Sequence, residues 1–216
     1  MWICPTITAE TKEVFSKQLK TASKLAKRIH FDVSDASLAP NKLLSLKSMS
    51  WGKQVLADIH VMSTHPHPEL LLALKLKPHL VIIHAEADID LIASARSLRQ
   101  NDIKAGVALL QKTPLNLIGQ YLLEFDHVLV FSGNLGYQGG STANLNLIEK
   151  VKAIKNINRE IEIGWDGGVN DTNISSLVAS GVGVVNVGGF IQHSKNPAKA
   201  YAKLELALNS YKNYAP

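Results

Sequence analysis

Cysteine occurs once, at Cys4, so no disulfide can form within the chain. That suits a reducing compartment. The lone thiol reads as a small core residue on a first strand rather than a reactive group, because free cysteine is commonly buried. No apolar run approaches the ~20 residues that a membrane-crossing helix needs. The first ten residues lack a basic stretch followed by a long apolar one, so no signal peptide is expected. These absences lead to the expectation of a cytoplasmic protein with no membrane partner. Aromatic residues make up only 6%, and the net charge of +5 is not gathered into a basic block with aromatics between. Lys12, Lys17, Lys20, Lys24 and Lys27 are spread as on a solvated helix face. No nucleic-acid partner is expected, and the positive balance favours phosphorylated ligands. Linkers, low-complexity tracts and shifts of composition are also missing. One domain over residues 1–216 is therefore expected.

What the chain does have is alternation. Short runs rich in Val, Ile and Leu recur at Trp2–Thr6, Ile29–Val33, Gln54–Met62, Leu80–His84, Ala105–Leu110, Val128–Phe131, Glu160–Trp165 and Gly183–Val187. Such runs fit strands of a parallel sheet covered by helices. Between them lie helical spacings: Phe15, Leu19 and Ala22, then Leu91, Ala95 and Leu98, then Leu147, Val151 and Ile154. Asn170 is expected to cap the helix after the seventh strand, and Gly181 to end it in a left-handed turn. A last helix begins near Pro197, with Tyr201, Leu204 and Leu208 on one side. From Pro40 to Trp51 only a short or irregular helix is expected. Strict strand-then-helix alternation implies parallel strands joined by right-handed crossovers. Eight such units in this length favour a single closed (β/α)8 TIM barrel, an α/β fold, over an open sheet.

In such a barrel the chemistry lies at the C-terminal ends of the strands. His30 and Asp32 are two apart on the second strand, so both point to one face. Asp58 and His60 share that spacing on the third. The fourth ends at His84, followed by Glu86, and the seventh at Asp166. Any one of these is more often a structural hydrogen-bond partner than a ligand. The joint placement of His30, Asp32, His60 and Asp166 points instead to a site for a divalent metal ion, with Zn, Fe, Mn and Co all compatible. Gly167 and Gly168 follow the seventh strand, and Gly188 and Gly189 the eighth. Glycine pairs also serve tight turns. In these two loops they favour a phosphate held on backbone N–H groups. A third loop, Leu135–Gly140, is placed to close over a ligand.

These motifs resemble those of the ribulose-phosphate 3-epimerase family over nearly the whole chain. Ile3-Cys4-Pro5-Thr6-Ile7 is similar to the family's Pro-Ser-Ile strand, with Thr for Ser. His30-Phe31-Asp32-Val33-Ser34-Asp35 resembles His-x-Asp-Val-Met-Asp, and Pro40-Asn41 follows at the family spacing. Asp58-Ile59-His60-Val61-Met62 resembles Asp-x-His-Leu-Met, and His84-Ala85-Glu86-Ala87 resembles His-x-Glu-Ala. Asp166-Gly167-Gly168-Val169 matches Asp-Gly-Gly-Val. The resemblance implies a ribulose-phosphate-binding barrel in the pentose phosphate pathway, converting D-ribulose 5-phosphate to D-xylulose 5-phosphate by inverting C3. It implies that His30, Asp32, His60 and Asp166 bind the metal and that Asp32 and Asp166 are the acid–base pair. It also implies that Thr6, His60 and Met62 contact the substrate. Gly136 and Gly139 would belong to the flexible loop, and Gly167, Gly168, Gly188 and Gly189 to the phosphate site. His84 is expected outside the metal's own ligands. The partner is a small sugar phosphate, and a homo-oligomer is compatible with all of this.

The chemistry agrees with the resemblance. Inversion beside a ketone needs one group to take a proton from one face and another to return one to the opposite face. A divalent cation on the carbonyl and adjacent hydroxyl stabilises the enediolate between those steps. Departures lie in the ligand walls. Only Met62 remains of three family methionines, with Ser34 and Phe131 at the other places. The loop usually written Pro-Gly-Phe-Gly-Gly-Gln reads Leu135-Gly136-Tyr137-Gln138-Gly139-Gly140, and Gly-Ser after strand eight reads Gly188-Gly189. Two other readings share these features: an epimerase of a six-carbon ketose phosphate, and a non-catalytic sugar-phosphate-binding barrel. Hexulose-phosphate synthases and orotidine-phosphate-type decarboxylases share the architecture but carry Asp-x-Lys-x-x-Asp on strand three. Here Asp58 to Ser63 contains no lysine.

Overall fold

Strands buried on both faces must be apolar almost throughout, and this sequence supplies eight of them. In the computed structural model, which describes residues 1–214, they are β1 (Trp2–Ile7), β2 (Arg28–Ser34), β3 (Leu56–Met62), β4 (Leu80–His84), β5 (Lys104–Leu109), β6 (His127–Phe131), β7 (Glu162–Asp166) and β8 (Val184–Val187). All pair in parallel, in sequence order, and β8 returns to β1 to close the barrel. The helices are α1 (Lys12–Leu25), α2 (His67–Leu76), α3 (Leu91–Gln100), α4 (Ile148–Ile157), α5 (Ile174–Ala179), α6 (Gly189–Gln192) and α7 (Pro197–Tyr214). Among the described residues, no helix is long and apolar enough to cross a membrane. Lys12, Lys17, Lys20, Lys24 and Lys27 are all exposed, as a solvated face requires.

Alternation along the strands divides the core in two. Ile29, Phe31, Val33, Ile59, Val61, Ile83, Val107, Val130 and Val185 face outward and pack with the helices in one large cluster. Inside the barrel a separate, small apolar plug is made by Leu80, Ile82, Ala108 and Leu129. The helical spacings hold: Phe15 and Ala22 of α1, Ala95 and Leu98 of α3, Val151 and Ile154 of α4, and Leu204 and Leu208 of α7 are buried. Asp90 caps α3 by accepting from the N–H groups of Ile92 and Ala93.

Strict alternation fails at two crossovers. Between β2 and β3 only a 3-10 turn forms, Leu46–Ser48. Between β5 and β6 the chain makes two 3-10 segments, Leu115–Leu117 and Gly119–Glu124, where Pro114 and Gly119 interrupt a continuous helix. Strand β3 starts at Leu56 rather than Gln54, and β7 runs two residues later at its start, carrying Asp166 as its last residue. Asn170 does not cap α5. Its side chain accepts from Thr172 within the preceding turn, and the helix begins at Ile174. Gly181 does lie in the left-handed region, with φ of 104°.

The base of the barrel is held by charge. Arg28, 1% exposed, donates from Nε to Asp58 Oδ2 at 2.7 Å and from both terminal nitrogens to Glu162 at 2.8 and 2.7 Å. His127 Nδ1 lies 2.9 Å from Glu162 Oε2. Burial opposes the charge on Glu162, but the hydrogen bonds from Arg28 and His127 outweigh it and hold the carboxyl well below its usual range. Arg28 thus ties β2, β3 and β7 together. Removing it strands a buried carboxylate. Arg28→Ala is expected to cost about 3–5 kcal/mol in urea unfolding. A loss below about 1 kcal/mol would show that the network is dispensable.

Candidate active site

At the opposite end, period-two alternation brings His30 and Asp32 of β2 into the barrel beside His60 of β3. The register sets Asp32 level with His60 and Asp166 level with Asn186 of β8. One ligand atom from each of His30, Asp32, His60 and Asp166 lies within 4.8 Å of the others. His30 Nε2 is 3.4 Å from Asp32 Oδ1 and 3.3 Å from Asp166 Oδ2, and His60 Nδ1 is 3.0 Å from Asp32 Oδ1. Both histidines are wholly buried, and His30 Nε2 has no well-aligned hydrogen-bond partner.

The electrostatics follow from that crowding. Burial opposes a charge on His30, but the facing carboxylates of Asp166 and Asp32 outweigh it and raise its pKa to about 10. Burial likewise opposes ionisation of Asp32, and the contacts with His30 and His60 outweigh it, holding the carboxyl well below its usual range. An unpartnered imidazole nitrogen aimed at two carboxylates, with a second imidazole alongside, is a two-nitrogen, two-oxygen donor set. It can hold a divalent metal ion.

Above the cluster lies a cavity of about 300 Å³. Asp32 and Asp166 reach its floor, with Thr6, Met62 and Phe131 on the walls. Gly136, Gly139, Gly167, Gly168, Gly188 and Gly189 line the far side. Gly168 has φ of 72°, and a Cβ there would overlap the backbone of Thr142 and Ala143. A Cβ on Gly189 would meet Gly139 Cα at 2.7 Å. These glycines are therefore demanded by the close approach of neighbouring backbones. The same approach leaves that side of the cavity lined largely by backbone.

The sequence matches the model of the Ribulose-phosphate 3 epimerase family over residues 2–191. The chain belongs to that family. A ribulose-phosphate 3-epimerase of Helicobacter pylori is 31% identical over 212 residues, covering 95% of this chain and 97% of that one. One from Bacillus subtilis is 24% identical over 211 residues, covering 94% and 97%. This chain is accordingly an isomerase of the epimerase type. Among solved structures, a 3-hexulose-6-phosphate synthase superposes with a TM-score of 0.74 at 19% identity, covering 96% of this chain and all of that one. That likeness carries the fold and no more.

Phe131 and Ser34, which replace two family methionines, and Met62, the one that remains, have definite places. Phe131 sets its ring 5.8 Å from that of His60 and 6.2 Å from that of His84. Met62 packs with Ala39, Leu43 and Leu135. The Ser34 hydroxyl accepts from Ala36 N–H at 3.1 Å.

Several residues at the site escaped the sequence reading. Thr8 donates to Asp32 Oδ2 at 2.6 Å and so fixes the carboxylate. It lies two residues past Thr6 at the end of β1, and that spacing was its only sequence signal. Gln138 donates to the Thr6 carbonyl at 2.9 Å and accepts from Gln18 of α1 at 2.6 Å. Asn186 Oδ1 and Thr6 Oγ1 are buried without protein partners, and both residues line the cavity. His84, which the sequence reading did single out and expected outside the metal's own ligands, stands beside the four-residue cluster, its Nε2 2.9 Å from His60 Nε2. Burial lowers the pKa of His84, outweighing the opposing hydrogen bond to Glu86.

The crowding at Gly168 can be measured against Gly140, which has φ of 76° but open space around it. Gly140→Ala should cost only the left-handed conformation, about 1–2 kcal/mol. Gly168→Ala adds a collision with backbone and should cost at least about 1 kcal/mol more in urea unfolding. Equal losses would show that the loop after β6 yields freely.

Proposed function

We propose that the protein inverts C3 of D-ribulose 5-phosphate to give D-xylulose 5-phosphate, with Asp32 and Asp166 as the two acid–base groups. The observation that carries this reading is the convergence of His30, Asp32, His60 and Asp166 at the barrel mouth of a member of this family. His30, Asp32, His60 and Asp166 would hold a divalent cation, with Zn, Fe(II), Mn or Co each suited to the donor set. Bound there, the cation supplies Lewis-acid stabilisation of negative charge developing on the substrate's oxygens.

The side chains do the rest. Asp32 rises from β2 and Asp166 from β7, and each comes within 3.4 Å of His30 Nε2. A carbon above that point has a carboxylate available on either side. One aspartate takes the C3 proton from its own face, and the other delivers a proton to the opposite face. Thr8 holds Asp32 by its outer oxygen, so the inner one keeps its direction. The contact with His30 favours the ionised form of Asp32, which suits a group that begins as a base. Backbone N–H groups of Gly167, Gly168, Gly188 and Gly189 grip the phosphate, while Thr6 and Met62 line the sugar. Fixing the distal phosphate holds C3 between the carboxylates. The loop Leu135–Gly140, with Gly136 and Gly139 in the left-handed region, closes over the ligand and excludes water.

The test is a ribulose 5-phosphate epimerisation assay with metal analysis of the same sample. Asp32→Asn and Asp166→Asn should each lower turnover by at least about 100-fold. Metal content is measured in each variant, because loss of a ligand would mimic loss of an acid or base. Exchange of the C3 hydrogen with deuterated water separates the roles: a variant that keeps one working face exchanges without inverting. Near wild-type epimerisation by both metal-loaded variants would refute the two-aspartate assignment.

A further inference from the structure

From the cluster a chain of hydrogen bonds runs away from the cavity, through residues that the acid–base reaction does not use. His60 presents Nδ1 to Asp32, and its Nε2 lies 2.9 Å from His84 Nε2. His84 Nδ1 lies 3.1 Å from Glu86 Oε2. The other oxygen of Glu86 accepts from the backbone N–H of Leu110 at 3.1 Å and from the Thr113 hydroxyl. Lys150 Nζ donates to the carbonyls of Leu110, Gln111 and Thr113, which fixes the loop after β5. His60 and His84 are both wholly buried.

The direction of every proton in this chain follows from its far end. A carboxylate only accepts. His84 Nδ1 must therefore carry the hydrogen, and in a neutral ring Nε2 is then a bare acceptor. The contact between the two Nε2 atoms needs one hydrogen, so it sits on His60. That leaves His60 Nδ1 with a free lone pair aimed at the Asp32 side of the cluster, which is the form a metal ligand requires. We infer that Glu86 is a positioning residue for the metal site. Acting through His84, it selects the tautomer in which His60 can ligate. The inference rests on the proposed metal-binding role of His60. It assigns Glu86 no contact with substrate or metal.

A near-isosteric change at Glu86 reverses this order of protons. In Glu86→Gln, the Leu110 N–H is a fixed donor and claims the amide oxygen. The amide NH2 then faces His84 Nδ1, which must become an acceptor. His84 Nε2 gains the hydrogen, His60 Nε2 must accept it, and the hydrogen of His60 moves to Nδ1, against the metal. Ligation by His60 then requires one of these hydrogen bonds to break. Thr113→Val removes a donor from the same carboxylate without reversing any acceptor, so it should leave the tautomers alone.

The experiment is zinc affinity, measured by competition with a chelating indicator on metal-stripped wild type, Glu86→Gln and Thr113→Val. Far-UV circular dichroism serves as a check on folding. Glu86→Gln should bind zinc about 10–100-fold more weakly, and Thr113→Val within about twofold of wild type, the precision of such a titration. In the zinc-loaded wild type, nitrogen-15 NMR of the imidazoles should find the hydrogen of His84 on Nδ1 and that of His60 on Nε2. This readout stands even if Glu86→Gln does not fold. Equal zinc affinity in folded wild type and Glu86→Gln, or a hydrogen on His84 Nε2 in the loaded wild type, overturns the inference while leaving the metal site intact. A wild type that takes up no zinc, iron, manganese or cobalt overturns the metal reading and this inference with it.

Discussion

Two carboxylates and two imidazoles share the mouth of this barrel in a space that bulk water scarcely reaches. Keeping the carboxylates ionised there is the constraint on which the rest of the site depends. Removing charge from water is costly unless it is matched at close range. Asp32 meets that demand through His30 and the Thr8 hydroxyl. Asp166 Oδ2 lies 3.3 Å from the same His30 nitrogen. A single buried imidazole serving two carboxylates leaves the cluster one positive charge short of neutrality at best. The shortfall is what suits it to a divalent cation.

The same constraint shapes the interior below. A barrel whose core contained only apolar side chains would give His30 and His60 no counterpart on their lower side. Here the inward positions of β2 and β3 read Arg28, His30, Asp32 and Asp58, His60, Met62. The lower charges are matched among Arg28, Asp58, Glu162 and His127, while Leu80, Ile82, Ala108 and Leu129 of β4, β5 and β6 form the separate apolar plug. The two ionic groups are therefore each assembled locally, from side chains of different strands. Parallel register is what assembles them. A slip of one residue in β3 would turn Asp58 and His60 toward the helices and empty both groups at once.

That dependence explains what could be read from the sequence. His30 with Asp32 and Asp58 with His60 announced themselves because a spacing of two on a buried strand fixes a shared face. Asp166 was visible because it precedes two glycines after an apolar run. The links between strands were not visible. Nothing in the sequence says that Thr8 touches Asp32, or that the Glu86 carboxylate meets a backbone N–H from the loop after β5. Such contacts depend on register and loop path, which have no sequence period. Of the two crossovers without an α-helix, the one through Pro40–Trp51 was expected to be short or irregular and is, while the one between β5 and β6 was hidden for a related reason. Short 3-10 turns bury single residues, such as Leu46 and Leu122, and a lone apolar position sets up no repeat.

The altered loop Leu135–Gly140 looks, from sequence, like decay of a family motif. Its contacts argue otherwise. Gln138 stands where the family has a glycine, and its side chain bridges Gln18 of α1 to the Thr6 carbonyl of β1. Gly189 stands where the family has a serine. Any Cβ there would meet Gly139 Cα at 2.7 Å, so the loop can sit this close only because that side chain is gone. The Gln138 side chain in turn lies over Gly188, whose missing Cβ would come within 3.3 Å of it. A serine restored at 189 would push Gly139 outward and pull Gln138 off its anchor. A glycine restored at 138 would leave the Thr6 carbonyl with the longer side-chain bond from Gln192, at 3.3 Å. The two departures fit each other. They describe a loop that closes by hydrogen bonds of its own side chain, on a wall of backbone made bare to receive it.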